Sequence, residues 1–106
     1  MKYRQARIRA DILKSMAHPV RVLIIDALSK GDRCVGDLHK LVRIHQSNVS
    51  RHLACLKKAG IVSDRRDGMH VFYRLETPCI LPALECTVDV AKSDHARRAE
   101  RIKVIT

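Results

Sequence analysis

The sequence predicts a mostly helical α+β domain in which four helices precede a β-hairpin and a fifth helix follows it. Three observations support this prediction. Apolar residues recur at helical spacing over most of the chain. The pattern then changes to strand-like runs after Gly60, and Asp67-Gly68, a common two-residue hairpin signal, separates two such runs. The length of 106 residues suits one domain spanning 1–106, with a core at about 7–92, a basic N-terminal arm and a charged C-terminal tail.

The first two predicted helices meet at His18-Pro19. An amphipathic helix is expected over residues 7–16, where Ile8, Ile12, Leu13 and Met16 lie at helical spacing. Proline breaks this helix and suits the first turn of the next one, where its missing N–H would be unpaired anyway. The second helix is expected to end at Gly31. Its apolar stripe is Val20, Leu23, Ile24, Ala27 and Leu28.

A short third helix over residues 35–42 and a longer fourth helix over residues 46–59 are joined by a turn at residues 43–45. Gly60 is expected to end the fourth helix in the left-handed conformation. The residues expected to face inward are Val35, Leu38, Leu41 and Val42 on the short helix and Val49, Leu53 and Leu56 on the longer one.

The strand-like runs cover residues 61–66 and 69–75, and the last helix is expected to begin near Pro78. From Ser93 onward the charges alternate in sign, so this tail either extends the last helix or frays. Two helices joined by a three-residue turn and followed by a hairpin form a winged helix-turn-helix. We therefore predict this fold.

The chain is strongly basic. It has 21 Lys and Arg against 11 Asp and Glu, a net charge of +10, which indicates a polyanionic partner, nucleic acid first and an anionic membrane second. Aromatic residues make up only 3% of the chain, which argues against single-strand and RNA binders that stack bases on aromatic side chains. So few aromatic residues also leave a thin core, and we therefore expect a homodimer.

The sequence lacks the segments typical of secreted and membrane proteins and the motifs typical of enzymes. Its N-terminus has no apolar stretch typical of a secretory signal, and its apolar runs are too short to span a membrane. We therefore expect a cytoplasmic protein without a membrane partner, whose thiols stay reduced. A phosphate loop, a nucleophile elbow and a carboxylate pair in a catalytic motif are also missing, so we do not expect an enzyme.

The fourth predicted helix presents polar side chains beside its apolar ridge in its first two turns. Glutamine and asparagine suit adenine, arginine suits guanine, and serine suits either base. A recognition helix presents its N-terminal residues to the major groove. A solvated helix face is the alternative, but the flanking turn and hairpin favour binding in the groove. The candidate DNA-binding residues are Gln46, Ser47, Asn48, Ser50, Arg51 and His52.

The hairpin carries Arg65 and Arg66 before its turn and His70 after it. A basic wing can contact the phosphate backbone or enter the adjacent minor groove. Charges on a hairpin also protect a sheet edge from pairing with other chains. The two roles are compatible, and we favour a phosphate contact.

Several separated motifs occur in an order that resembles the ArsR/SmtB family of winged-helix repressors, over roughly residues 10–92. The resemblance implies a homodimer formed by the first and last helices, a palindromic operator in double-stranded DNA, and release when an inducer binds. The sequence of residues 47–56 is similar to that of the same stretch in the cadmium- and lead-sensing branch of the family. The motifs are Ala17-His18-Pro19-Val20-Arg21, Ser47-Asn48-Val49-Ser50-Arg51-His52-Leu53, Lys58-Ala59-Gly60-Ile61-Val62, Arg66-Asp67-Gly68 and Phe72-Tyr73-Arg74-Leu75.

The cysteines match the metal patterns of that family only in part. Arsenic- and cadmium-sensing members carry Cys-Val-Cys-Asp-Leu-Cys, whereas residues 34–39 here keep the first Cys and have Gly36 and His39 at the other two positions. Cys55 matches the first of two cysteines in the cadmium and lead branch, and Ala59 stands at the second. The zinc pattern of the last helix is absent.

Two hypotheses follow for the candidate ligands Cys34, Cys55, Cys79, Cys86 and His39. In the first, arsenite, cadmium, lead or mercury binds two or three thiolates and is not needed for folding. In the second, the thiols form an oxidation or persulfide switch. Cys79 and Cys86 are about 10.5 Å apart along a helix, too far to chelate one ion there, although two such faces can meet across a dimer.

Two alternatives stay open beside the thiol hypotheses. Cys55 and Cys86 can be small buried hydrophobic residues, because free cysteine is among the most buried residue types. The chain can also be an effector-independent nucleic-acid-binding protein, or a module that uses the winged helix only to bind protein.

Overall fold

The computed structural model describes residues 1–93 and 103–105. Its elements form a helical domain with a three-stranded antiparallel sheet in the order β1-β3-β2. The expected charge alternation of the tail falls mostly on residues 94–102, which lie outside the described residues. The elements are α1 (Tyr3–Met16), α2 (Pro19–Leu28), β1 (Arg33–Cys34), α3 (Val35–Val42), α4 (Gln46–Lys58), β2 (Val62–Asp67), β3 (His70–Leu75), a 3₁₀ turn (Pro78–Ile80) and α5 (Leu81–Ser93).

This element order confirms the winged helix-turn-helix prediction. Helices α3 and α4 form the helix-turn-helix pair, and strands β2 and β3 form the wing. Three details differ from expectation. α1 begins at Tyr3, so most of the expected N-terminal arm is helical. β1 is too short to give an alternating pattern, and it forms because Arg33 and Cys34 pair with Tyr73 and Phe72 of β3. The last helix begins with a 3₁₀ turn.

The hairpin turn lies one residue later than predicted. Asp67 pairs with His70, so Gly68 and Met69 are the two turn residues, rather than Asp67 and Gly68. Gly68 has a φ of 64°, and Met69 is not in the positive-φ region. Glycine at the first central position is the signature of a type II′ turn, whose twist matches that of the strands.

The core lies where α2, α3 and α4 meet. Its fully buried side chains include the predicted ridge of α4. The prediction that Leu23 and Leu41 face inward is wrong, because Leu23 is 50% exposed and Leu41 is 56% exposed. α2 packs against α3, α4 and β3, so its buried face is turned towards Ile25 and away from Leu23. The largest fully buried residues are Ile24, Ile25, Leu38, Val49, Leu53 and Leu56.

Gly60 ends α4 as expected. Its φ is 82°, its N–H donates to the Lys57 carbonyl at 3.0 Å, and the N–H of Ile61 donates to the Leu56 carbonyl at 2.9 Å. These two bonds form a Schellman motif, which pairs carbonyls at the helix end that have no partner within the helix. Leu56 and Ile61 are both buried. The motif therefore directs the chain from the recognition helix into the wing.

We expect Gly60→Ala to lower the free energy of unfolding by about 1–2 kcal/mol, because an L-residue in the left-handed region brings its Cβ against the backbone. Urea denaturation of the purified protein measures the change. Gly36→Ala is the matched control, since Gly36 lies in α3 without a positive φ and an added Cβ would meet only the Cys34 Sγ, at 3.9 Å. Equal destabilisation by both changes would show that the left-handed conformation is not the cause.

Candidate nucleic-acid interface

The first two turns of α4 carry the candidate base-contacting residues. Gln46, Ser47, Ser50 and Arg51 are exposed, whereas Asn48 is half-buried. They lie beside the buried ridge, so packing of the ridge fixes the direction in which they point. No side chain caps the start of α4, and the free backbone N–H groups of a helix start favour an anion such as phosphate.

Arg51 is the exposed cation in the first two turns of α4. Within the part of the chain that the structure describes, its guanidinium makes no hydrogen bond and no ion pair. An arginine fork that is not engaged elsewhere is suited to the O6 and N7 atoms of guanine. The geometry therefore leaves Arg51 available to DNA.

His52 is placed differently from the other predicted residues. It is half-buried, and its Nδ1 accepts a hydrogen bond from the Arg21 Nε at 3.0 Å. The His18 ring lies 4.3 Å from it, measured between ring centroids. Burial first, and then the charges of His18, Arg21 and Arg51, lower the pKa of His52. Only its Nε2 is left for a contact with DNA.

The wing arginines are not equivalent. Arg65 pairs with Asp32 at 3.5 Å and with Asp67 at 3.8 Å, and its guanidinium lies 5.1 Å from the centre of the Phe72 ring. Arg66 is exposed and makes no ion pair or hydrogen bond with the described residues. Arg66 is therefore the freer of the two for a phosphate.

Asp32 holds the base of the wing through two arginines. Its carboxylate accepts hydrogen bonds from Arg74 at 3.3 and 3.4 Å, and it also contacts Arg65. The Arg74 hydrogen bond, followed by the smaller effects of the Arg74 charge and of Arg65, lowers the pKa of Asp32 against the opposing effect of desolvation. The Asp32 carboxylate thus stays charged and neutralises part of the wing.

Two further sets of basic residues lie near this surface. Lys57, in the last turn of α4, pairs with Asp64 of β2 at 3.0 Å, so its charge is directed to the wing. Lys40 and Arg43, at and just before the helix-turn-helix turn, are cations that the sequence pattern did not single out. They lie close to the start of α4. The signal in the sequence that could have identified them is a pair of cations at and just before the predicted turn. A surface hollow of about 440 Å³ is lined by His39, Lys40, Arg43, Ile44 and His45.

The four cysteines are dispersed. Cys34 and Cys55 are half-buried, and Cys79 and Cys86 are exposed, so Cys86 is not buried within a single chain. His39 Nδ1 is hydrogen-bonded with the carbonyl oxygen of Ile44. Among residues 1–93 and 103–105, no three metal-ligating side chains come together. The described part of one chain therefore does not assemble the predicted ligands into a metal site.

The described residues also include no helix with the length and apolar character needed to cross a membrane.

Comparison with known proteins identifies the family. Residues 18–64 match the bacterial regulatory proteins of the arsR family. The nodulation protein NolR of Rhizobium meliloti is 37% identical over 93 residues, which cover 88% of this chain and 76% of NolR. The expectation that the chain is not an enzyme agrees with these matches, because the relatives are regulators.

Solved structures show the same fold. The transcriptional repressor BigR from Xylella fastidiosa matches with a TM-score of 0.73 and 31% identity over 82% of this chain and 89% of BigR. A homodimeric winged helix-turn-helix DNA-binding domain from Mycobacterium bovis matches with a TM-score of 0.71 and 28% identity over 90% of this chain and 94% of that domain. The chain therefore belongs to the arsR family of bacterial DNA-binding transcriptional regulators.

Proposed function

We propose that this regulator is a homodimeric repressor that binds a palindromic operator in double-stranded DNA and is released by thiol chemistry. The observation that carries the DNA-binding role is the exposed polar face of α4. Gln46, Ser47, Ser50 and Arg51 occupy the positions that a recognition helix presents to base edges. Asn48 and His52 flank that face and are half-buried.

The wing supplies backbone contacts in this proposal. Arg66 and His70 are exposed on the two strands beside the turn. Arg65 contributes less, because DNA phosphates would compete with Asp32 and Asp67 for its guanidinium. Phosphate contacts hold a protein in register on the duplex without selecting a sequence, so the wing sets affinity and α4 sets specificity.

The uncovered apolar surface supports the homodimer. On α1, Ile8 is 57% exposed and Leu13 is 58% exposed. A groove of about 1150 Å³ beside the start of α2 is lined by Leu23 and by Val90 of α5, together with Val104. A second copy of the chain would cover these side chains, as the similarity to a homodimeric domain suggests. Two-fold symmetry would relate the two α4 helices and match a palindromic site.

The thiol part of the proposal starts from Cys79 and Cys86. Both are exposed, and Cys86 belongs to α5, the helix whose Val90 lines the groove. A change at Cys86 would therefore fall on a helix of the proposed dimer interface. Since no three ligating side chains come together among the described residues of one chain, a site of three thiolates for arsenite, cadmium or lead would draw them from both subunits. Oxidation or persulfidation of the same thiols is the second candidate for the switch.

We expect Arg51→Ala to weaken binding to a selected palindromic duplex by about 1–3 kcal/mol while leaving binding to a scrambled duplex nearly unchanged. The reason is that the change removes a bond to a base rather than to a phosphate. Fluorescence anisotropy with both duplexes measures the two affinities. Equal losses on both would make Arg51 a phosphate contact, and wild-type protein that binds both duplexes alike would be an effector-independent binder.

Arg66→Ala is the matched control for Arg51→Ala. It removes the same charge from the wing, so we expect an equal loss of affinity for both duplexes. The slope of log affinity against log salt, measured from about 50 to 200 mM salt, should become shallower by about one for each phosphate that the variant no longer neutralises. An unchanged slope would exclude Arg66 from the phosphate contacts.

We expect arsenite, Cd(II), Pb(II) or a persulfide donor to release the wild-type protein from its duplex, and a protein with all four cysteines changed to serine to stay bound. Gel shifts show the release, and native mass spectrometry shows the mass of any adduct and the number of subunits that carry it. A Cys79→Ser, Cys86→Ser double variant is the sharper test, because it keeps Cys34 and Cys55. Identical responses of wild type and the four-serine protein would reject thiol control.

A further inference from the structure

Arg21 on α2 joins two helices with different roles. Its NH1 group donates to the carbonyl oxygen of Ser15 at 2.9 Å, and its Nε donates to the Nδ1 of His52 at 3.0 Å. Ser15 lies in the last turn of α1, where carbonyls have no partner within the helix. His52 lies in the second turn of α4. One half-buried guanidinium therefore bridges the end of α1 and the recognition helix.

The bridge depends on the protonation state of His52. A histidine nitrogen accepts a hydrogen bond only when it carries no proton, so neutral His52 holds its proton on Nε2. The groups that face His52 are His18 at the start of α2, Arg21 of α2 and Arg51 of α4, and the charge of each lowers the pKa of His52. From α1, the contribution to the junction is the neutral carbonyl of Ser15.

These surroundings favour the neutral form of His52, which accepts the hydrogen bond from Arg21. Burial and the neighbouring positive charges lower the pKa of His52, so it stays neutral to a lower pH than a free histidine does. Because the folded-state pKa is lowered, the contribution of this junction to stability is complete above the pKa of unfolded histidine and is lost as the pH falls through the folded value. Protonated His52 cannot accept from Arg21 and would repel it.

We propose that Arg21 is a positioning residue for DNA recognition, which sets the angle of α4 relative to α1 by joining the Ser15 carbonyl to neutral His52. This inference rests on the proposed dimer, in which α1 leads to the second subunit. Two recognition helices must enter successive major grooves about 34 Å apart. A joint that lets α4 rotate against α1 would therefore weaken binding to a palindromic site more than binding to DNA without one.

The test compares wild type with Arg21→Gln on a palindromic duplex selected from a random pool and on its scrambled counterpart, from about pH 8 to pH 5.5. Positive charge that the protein gains in acid strengthens phosphate binding in every variant. The acid-induced loss is therefore measured as the ratio of affinities for the two duplexes. In wild type we expect this ratio to fall as the pH is lowered. In Arg21→Gln we expect it to be roughly tenfold lower than the wild-type ratio at pH 8 and independent of pH.

Two further variants separate positioning from folding and from charge. Arg9→Gln removes an arginine from the exposed face of α1 and should keep the wild-type pH profile. His52→Gln offers an oxygen acceptor that does not titrate, so its affinity ratio should not depend on pH, whatever its absolute value. Circular dichroism of each variant checks that it is folded.

The outcomes distinguish the inference from the function on which it rests. An Arg21→Gln protein that is folded and keeps the wild-type ratio and pH profile overturns the positioning role and leaves the repressor proposal standing. A wild-type protein without preference for the palindromic duplex at any pH overturns both. A pH dependence that persists in His52→Gln assigns the titration to another group and also overturns the inference.

Discussion

Burial of one ridge of α4 is the constraint on which the rest of this structure depends. Val49, Leu53 and Leu56 are fully buried, and their spacing of four and three residues places them on one side of the helix. Their packing against α2 and α3 fixes the rotation of α4 about its own axis. With the rotation fixed, Arg51 must lie on the outer side. The same apolar contacts that stabilise the fold therefore also expose the residues that we propose contact DNA.

The net charge of +10 is not evenly available to a partner, because ion pairs engage some of the cations. Asp32 holds Arg65 and Arg74, and Asp64 holds Lys57. Exposed pairs of this kind add little to stability. Their larger effect is to remove cations from general attraction to phosphate, whereas Arg51 and Lys58 of α4 and Arg66 of the wing make no ion pair among the described residues. Such pairing favours specific over non-specific binding, because fewer free cations contribute to the sequence-independent part of the affinity.

Local sequence patterns predicted the helix-turn-helix well. They could not predict features that depend on contacts between residues far apart in the sequence. The bounds of α3 and the stop at Gly60 follow from periodicity and from a left-handed glycine, both of which are local properties. The two-residue strand β1 exists only because β3 pairs with it. The exposure of Leu41 depends on which neighbours α3 meets. Likewise His52 was predicted as a DNA contact from its place on α4, while its bond to Arg21 joins residues 31 positions apart in sequence.

The dispersed thiols and the uncovered face of α1 have a common explanation in a symmetric pair of chains. Ile8 and Leu13 are more than half exposed in one chain, and no three metal-ligating side chains come together among the described residues. In a two-fold dimer each such feature meets a second copy, so a shared interface would complete both the core and the ligand set. α5 and α2 line the same groove, and α2 carries Arg21, which contacts both α1 and α4. A second copy of the chain that covered this groove would therefore act on the helix that joins α1 to α4.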